Sequence, residues 1–334
     1  SPEFWDLADQ YFDMDWYVDY IIAESWMANT DWPGNNIRIY RSDKTNYRWR
    51  FCLLDMELGL LPNGWTDCYF DHINHMLGQD PNNPYINVWL KGMQNPRFRN
   101  YFINRFADLM NTSYKIERIS AIEQSMFNQT VLEMPREYSR WGDPNNVAQQ
   151  MTDFVNRHHE FQFQLSERTG QVRNHIQADL GLNGQVEVTI DAFPAGAGTI
   201  KISTVTPDAL PWTGVYFDGN PVVITATPNP GYAFVYWDAN SIFTSPDFNA
   251  SIELNIPTDE TFRAVFTTSG SLPSLAISEL NYHSDSTRNA GDWIELLNFG
   301  SDQINLTGWK FTDSANEYFF PAGTMLAPGA RLVL

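Results

Sequence analysis

A chain of 334 residues, 43% apolar and 18% charged, has a globular composition and is too long for one ordinary hydrophobic core, so two or three domains are expected. Forty acidic residues against 21 basic ones give a formal charge of −19 and a pI near 4.5, a field that repels phosphate and makes nucleic acid an unexpected partner. No apolar stretch reaches membrane-spanning length and no signal peptide is recognisable, so no transmembrane segment is expected; the opening "SPEF" reads as a vector-derived tail, with the natural start upstream.

Residues 5–182 read as mainly helical. Phe12, Trp16, Tyr20, Ala23 and Met27 recur at steps of three and four, predicting a helix with one apolar stripe and Asp13 as its cap. Residues 37–41 and 47–54 read as two short strands of a hairpin around "SDKTN". Beyond "DPNNPY", two stripes predict further helices: Phe98, Phe102, Phe106 and Leu109, then Val147, Met151, Phe154, His158, Phe161 and Leu165. Near residues 180–184 the period changes. From 183 to 268, short Val, Ile, Thr, Phe and Tyr runs broken by Pro, Gly, Asn and Asp predict an all-β module, "TTSGSLPS" at 267–274 reads as a linker, and 274–334 read as a second β module that stops in mid-strand.

One stretch could carry chemistry. Phosphoryl transfer needs a carboxylate to orient the attacking hydroxyl and metal ions held against the phosphates. Only five of the 21 basic residues are Lys, so divalent metal would have to neutralise a bound nucleotide. Asp31 is followed by Asn36 at the Asp-x4-Asn spacing, then by the hairpin, then by Asp55 in "LLDMELG"; pairing the two strands would bring Asn36 and Asp55 to one end. The same residues are compatible with a polar turn, Asp31-Pro33-Gly34-Asn35, and a strand-end cap at Asp55.

The segments "DMDWYVDYIIAESWMANTDWPGNNIRIYR", "WRFCLLDMELG", "NPRFRNYFINRFADLMNTSY", "EMPREYSRW" and "VNRHHEFQFQLSERTG" resemble, in that order, the second half of the spore coat protein H (CotH) family, whose members are similar to secreted, atypical protein kinases. The resemblance implies a kinase-like C-lobe over 5–182, with Asp31 as catalytic aspartate, Asn36 (or Asn35) as the asparagine beside it, Asp55 as the metal-binding aspartate and Glu57 as a further metal ligand. ATP and Mg²⁺ or Mn²⁺ are the implied cofactors, and a protein hydroxyl the implied acceptor. No Gly precedes Gly34 and no Lys precedes Lys44, so the nucleotide-binding lobe is expected outside this chain, which alone is not expected to turn over ATP. Asn29 and Thr30 stand where kinases usually carry His and Arg, which leaves room for a pseudokinase scaffold in a structural or adhesive surface protein.

Two further resemblances follow. "VVITATPNPGYAFVYWDAN" and "TFRAVF" resemble the internalin-type B-repeat, with Gly231, Tyr232, Phe234 and Trp237 as its aromatic core and Ala264 and Phe266 on its closing strand. "AISELNYHS", "DWIELLNFGSDQINLTGWKFTD" and "FFPAGTMLAPGARLVL" resemble the lamin tail domain, an immunoglobulin-like sandwich, through Glu279, Asn281, Trp293, Ile294, Glu295, Leu296, Asn298, Leu306 and Gly308. These modules imply spacers or adhesive surfaces on a secreted or cell-surface bacterial protein. A carbohydrate-binding array would need Trp212, Trp237 or Trp309 exposed in a groove, whereas Trp237 is spaced as core.

Other candidates read as structural. Asp71, His72 and His75 in "DHINH" fit a partly exposed helix face better than a metal site, for want of a further ligand. Of His158 and His159, one is expected in the core and one in solvent. Arg136 and Arg140 share a helix face, with Trp141 placed to pack on a guanidinium. Cys52 and Cys68 could bridge, though a buried thiol is the simpler reading.

Overall fold

A computed structural model describes residues 3–61, 64–239, 242, 247–268, 274–282, 291–300, 302–312 and 317–334. The chain forms two compact units, Ser1–Asn229 with Phe234–Phe266, and Pro230–Ala233 with Thr267–Leu334. Together they have the predicted α+β layout, a helical region followed by all-β modules.

The helices of the first unit are α1 (Phe4–Ala8), α2 (Met14–Trp26), α3 (His72–Leu77), α4 (Pro84–Gly92), α5 (Pro96–Asn111), α6 (Ile116–Thr130), α7 (Met134–Trp141) and α8 (Val147–Asp179). Local chemistry starts several of them. Asp13, Asp71, Asn83 and Asn95 each accept a backbone N–H of the first turn, and Pro84 and Pro96 occupy first-turn positions where a missing N–H costs nothing. Between α2 and α3 lie β1 (Arg38–Tyr40) and β2 (Arg50–Cys52), an antiparallel pair shorter than the sequence suggested, because a 3₁₀ turn at Asp43–Thr45 and Asn46–Arg48 take up the connection.

The single stripe predicted for α2 is corrected. Met14, Tyr17, Val18, Tyr20, Ile21, Ile22 and Trp26 are all buried, while Trp16 is 45% exposed. The helix is the axis of the lobe, packed by β2, α3, α5 and α8, so nearly every face is core. Of the α5 stripe, Phe98, Phe102 and Phe106 are fully buried and Leu109 is half-buried, while Ile103, Ala107 and Met110 widen the buried face; Trp89 of α4 meets Phe102 edge-on at 5.6 Å. Each such aromatic contributes about 2 kcal/mol by leaving water. In contrast, α6 and α7 bury no residue and lie along α8 as an arm, where His158 is buried against Phe127 and donates Nδ1–H to the Glu123 carboxylate (2.8 Å) while His159 is exposed. Arg140 lies 4.9 Å above the Trp141 ring.

The first β module consists of β3 (Gly184–Phe193), β4 (Gly198–Ile202), β5 (Trp212–Asp218), β6 (Val222–Pro228), β7 (Tyr232–Asp238), β8 (Ser251–Leu254) and β9 (Glu260–Thr268). One sheet has the order β5-β3-β9-β7, with β3 and β9 parallel, and the other β4-β6-β8. Val186, Val188, Ile190 and Ala192 alternate inward along β3. Trp237 is fully buried and its Nε1–H donates to the Asn249 carbonyl at 3.0 Å, which makes it core.

This module is bonded to the helical lobe through side chains. Asp108 of α5, with no exposure, accepts from the hydroxyls of Ser203, Thr204 and Tyr216 (2.7 Å each) and from the Thr204 N–H (2.9 Å). Asn111 donates to the Val215 carbonyl and accepts from its N–H, and Arg105 joins Asp19 to Thr204.

The second unit holds β10 (Leu275–Asn281), β11 (Trp293–Asn298), β12 (Ile304–Asn305), β13 (Lys310–Thr312), β14 (Glu317–Phe319), β15 (Met325–Leu326) and β16 (Arg331–Val333), in sheets β10-β11-β16, β12-β15 and β13-β14. Ile294, Leu296, Leu306, Phe320 and Leu326 form its core. Glu279 and Glu295 face each other in register, and Glu295 is held by Ser278 and Arg331. Buried Asn298 donates to the Asp302 and Leu326 carbonyls and accepts from Gly300, a reason for its place in the pattern. Of the linker read at 267–274, residues 269–273 lie outside the described residues.

Candidate active site

At the end of α2 the chain reverses through Ala28 (φ 56°) and enters a turn in which the Asp31 carbonyl accepts from the N–H groups of Gly34 and Asn35, both at 2.8 Å. Trp32 and Pro33 are buried beneath it. Asn36 adopts φ 56°, a left-handed conformation that asparagine tolerates. Its side chain folds back, so that Nδ2 donates to Asp31 Oδ2 at 2.9 Å, and Asn35 Nδ2 reaches Oδ1 at 3.4 Å. The Asp31 carboxylate is therefore oriented by two amides and remains partly exposed.

The hairpin register sets Arg38 opposite Cys52 as its last pair, so Asn36 precedes one strand and Asp55 follows the other at the same open end. Asp55 is exposed, has φ 60°, and shares a hydrogen bond with Glu57. That bond, and then the negative charges of Asp55 and Asp31, raise the proton affinity of the Glu57 carboxyl. Asp31, Asp55 and Glu57 thus share one electrostatic neighbourhood at the hairpin's open end, with Asn36 bonded to Asp31.

Among the described residues, no group of three or more His, Cys, Asp or Glu is tight enough to hold a metal by itself. Mg²⁺ does not require one: it takes one or two carboxylates and completes its octahedron with water and substrate phosphate oxygens. The donors here fit such an ion. Asp55 and Glu57 supply adjacent carboxyl oxygens, and Asn36, whose NH₂ is committed to Asp31, keeps its amide oxygen.

Beneath the loop lies a buried polar layer that the sequence reading did not identify. Glu24 of α2 is 1% exposed and burial pushes its carboxyl up to about 7, against the pull of bonds to Asn29 and Tyr20. Asn29, also 1% exposed, donates Nδ2 to Glu24 Oε2 at 2.8 Å. His72 corrects the expectation of a partly exposed helix face: it is buried, with Nε2 at 3.0 Å from the Asn29 carbonyl, and burial pushes its imidazole down to about 3. Asp71 caps α3. Arg168 of α8, with no exposure, donates to the carbonyls of Ser25, Trp26, Cys68 and Phe70, placing a cation on the C-terminal carbonyls of α2. Cys52 and Cys68 are both free thiols, Cys68 buried.

Asn29 and His72 stand out in the sequence for other reasons; the signals for Glu24 and Arg168 are an acid inside the apolar run "YIIAESW" and an Arg within the α8 pattern.

Comparison with protein families agrees with the architecture. Residues 2–162 match the CotH kinase protein family, 188–270 the divergent InlB B-repeat domain and 268–334 the lamin tail domain. No curated protein and no solved structure matches the chain. The helical lobe runs past the CotH match, to Asp179 at the end of α8.

Proposed function

Taking residues 2–162 as a CotH kinase segment, followed by a divergent InlB B-repeat and a lamin tail domain, we propose that the chain is part of an atypical protein kinase that transfers phosphoryl from ATP to a protein hydroxyl. The observation that carries this is the Asp31–Asn36 bond at the end of the hairpin that leads to Asp55 and Glu57. Asp31, with its carboxylate fixed by Asn35 and Asn36, orients the attacking hydroxyl and takes up its proton at a carboxylate oxygen. Asn36, Asp55 and Glu57 would hold Mg²⁺ or Mn²⁺, which supplies charge neutralisation at the phosphates. Buried Trp32 and Pro33 anchor the loop and keep water from its underside.

Transfer of labelled γ-phosphate to an acceptor protein by the full-length protein carrying this segment tests the reading. Asp31→Ala lowers kcat by about 10²-fold or more with the fold intact; an unchanged rate overturns it. Asn29 and Thr30, in place of the usual His and Arg, favour a second reading, a pseudokinase scaffold in a structural surface protein. On that reading no acceptor is labelled and Asp31→Ala changes nothing. In both cases we place the protein outside the cell or on its surface, through the B-repeat and lamin tail modules; no helix among the described residues is long and apolar enough to cross a membrane.

A further inference from the structure

A helix buried on nearly every side carries a glutamate, and the residue two before Asp31 is an asparagine removed from solvent. Burying such groups costs free energy unless they are bonded, and the bonds they make meet at one residue, Asn29, through its backbone and its side chain. Asn29 receives the chain from α2 through its own N–H, which donates to the Glu24 carbonyl at 3.1 Å. Its Nδ2 donates to Glu24 Oε2 at 2.8 Å and lies 3.6 Å from the sulfur of Met56, the residue between Asp55 and Glu57. Its carbonyl faces His72 Nε2; since a carbonyl only accepts, His72 carries its proton there, and the ring is the neutral form with Nδ1 unprotonated. The His72 ring lies 6.2 Å from that of Trp32, the residue after Asp31. The side-chain amide of this buried residue therefore touches the end of α2 and the segment that bears Asp55, its backbone carbonyl meets α3, and it stands two residues before Asp31.

We propose that Asn29 is the positioning residue of this site, held by Glu24 and His72, and that through Met56 it sets the spacing between Asp31 and the Asp55–Glu57 segment. This rests on reading Asp31, Asp55 and Glu57 as the phosphotransfer and metal-holding groups. It also accounts for a kinase-like loop without His and Arg before its aspartate: the support comes from α2 and α3 in place of the loop's own side chains. Metal ligands depend on such outer contacts for their orientation, and losing one weakens metal affinity by about 10- to 100-fold.

Mn²⁺ binding to the chain, followed by the paramagnetic resonance of the free ion and by calorimetry, tests this without turnover. The wild-type chain binds Mn²⁺ and Asp55→Ala loses it. Asn29→Leu, similar in size and unable to bond, weakens binding about tenfold. Glu24→Gln keeps an oxygen to accept from Asn29 and stays within about twofold of wild type, whereas Glu24→Leu falls with Asn29→Leu. Wild-type affinity in a folded Asn29→Leu overturns the proposal. If Asn29→Leu does not fold, Met56→Leu decides, since it conserves volume and removes only the sulfur: an affinity about threefold lower supports the coupling, and an unchanged one overturns it. Mn²⁺ binding that is equal in wild type and Asp55→Ala, or absent from both, overturns instead the metal-site reading beneath it.

Discussion

Glu24 and His72 sit in the same buried layer and titrate in opposite senses. Burial raises the Glu24 carboxyl from 4.5 to about 7, so its contribution to stability is complete below about pH 4.5 and is lost as pH rises through about 7, a loss of about 3 kcal/mol at most. Burial lowers the His72 imidazole from 6.5 to about 3, so its contribution is present above about pH 6.5 and is lost as pH falls toward 3. Between pH 4.5 and 6.5 the two slopes oppose each other. Glu24→Gln removes one of them: its melting temperature relative to wild type rises between pH 5 and pH 8, measured by calorimetry. Parallel profiles across that range would show that Glu24 does not ionise inside the fold. No local pattern foretells either shift, because both come from surroundings assembled by distant segments; the His72 partner, Asn29, is 43 residues away.

At the level of elements, the parts written in local chemistry were legible. The Asp13 cap, the phenylalanines of the α5 stripe, the hairpin and the short β runs of the first β module each follow from residues close in sequence. The Asp31–Asn36 spacing is local too, and the bond between them closes a six-residue turn, whereas the sequence reading paired Asn36 with Asp55. The environment of α2 was not, since whether a helix is amphipathic or central depends on how many neighbours cover it, and the residues of α8 that cover it lie more than a hundred positions away. Asp108 is a similar case: within the apolar pattern of α5 it looks like a solvent position, yet four donors of the β module converge on it. Asp108→Ala leaves those donors unpaired in a buried joint and lowers stability by about 3 kcal/mol. Urea unfolding at fixed pH reads this as a lower midpoint; an unchanged midpoint would mean that the joint contributes little.

Over the whole molecule, the side-chain joint through Asp108, Asn111 and Arg105 makes the helical lobe and the first β module one compact unit, so the B-repeat-like module is a support of the lobe as well as whatever surface it offers. The lamin tail region forms its own core. On the proposed function, the acidic charge of −19 and the carboxylates at the hairpin's open end would repel a nucleotide's phosphates unless a divalent cation offset them. The proposed function holds that cation at Asp55. Titrating the full-length protein with ATP and Mg²⁺, alone and as Asp55→Ala, tests it most directly: the account predicts that Mg²⁺-dependent ATP binding weakens by about tenfold or more in the variant, and equal binding by both would contradict it.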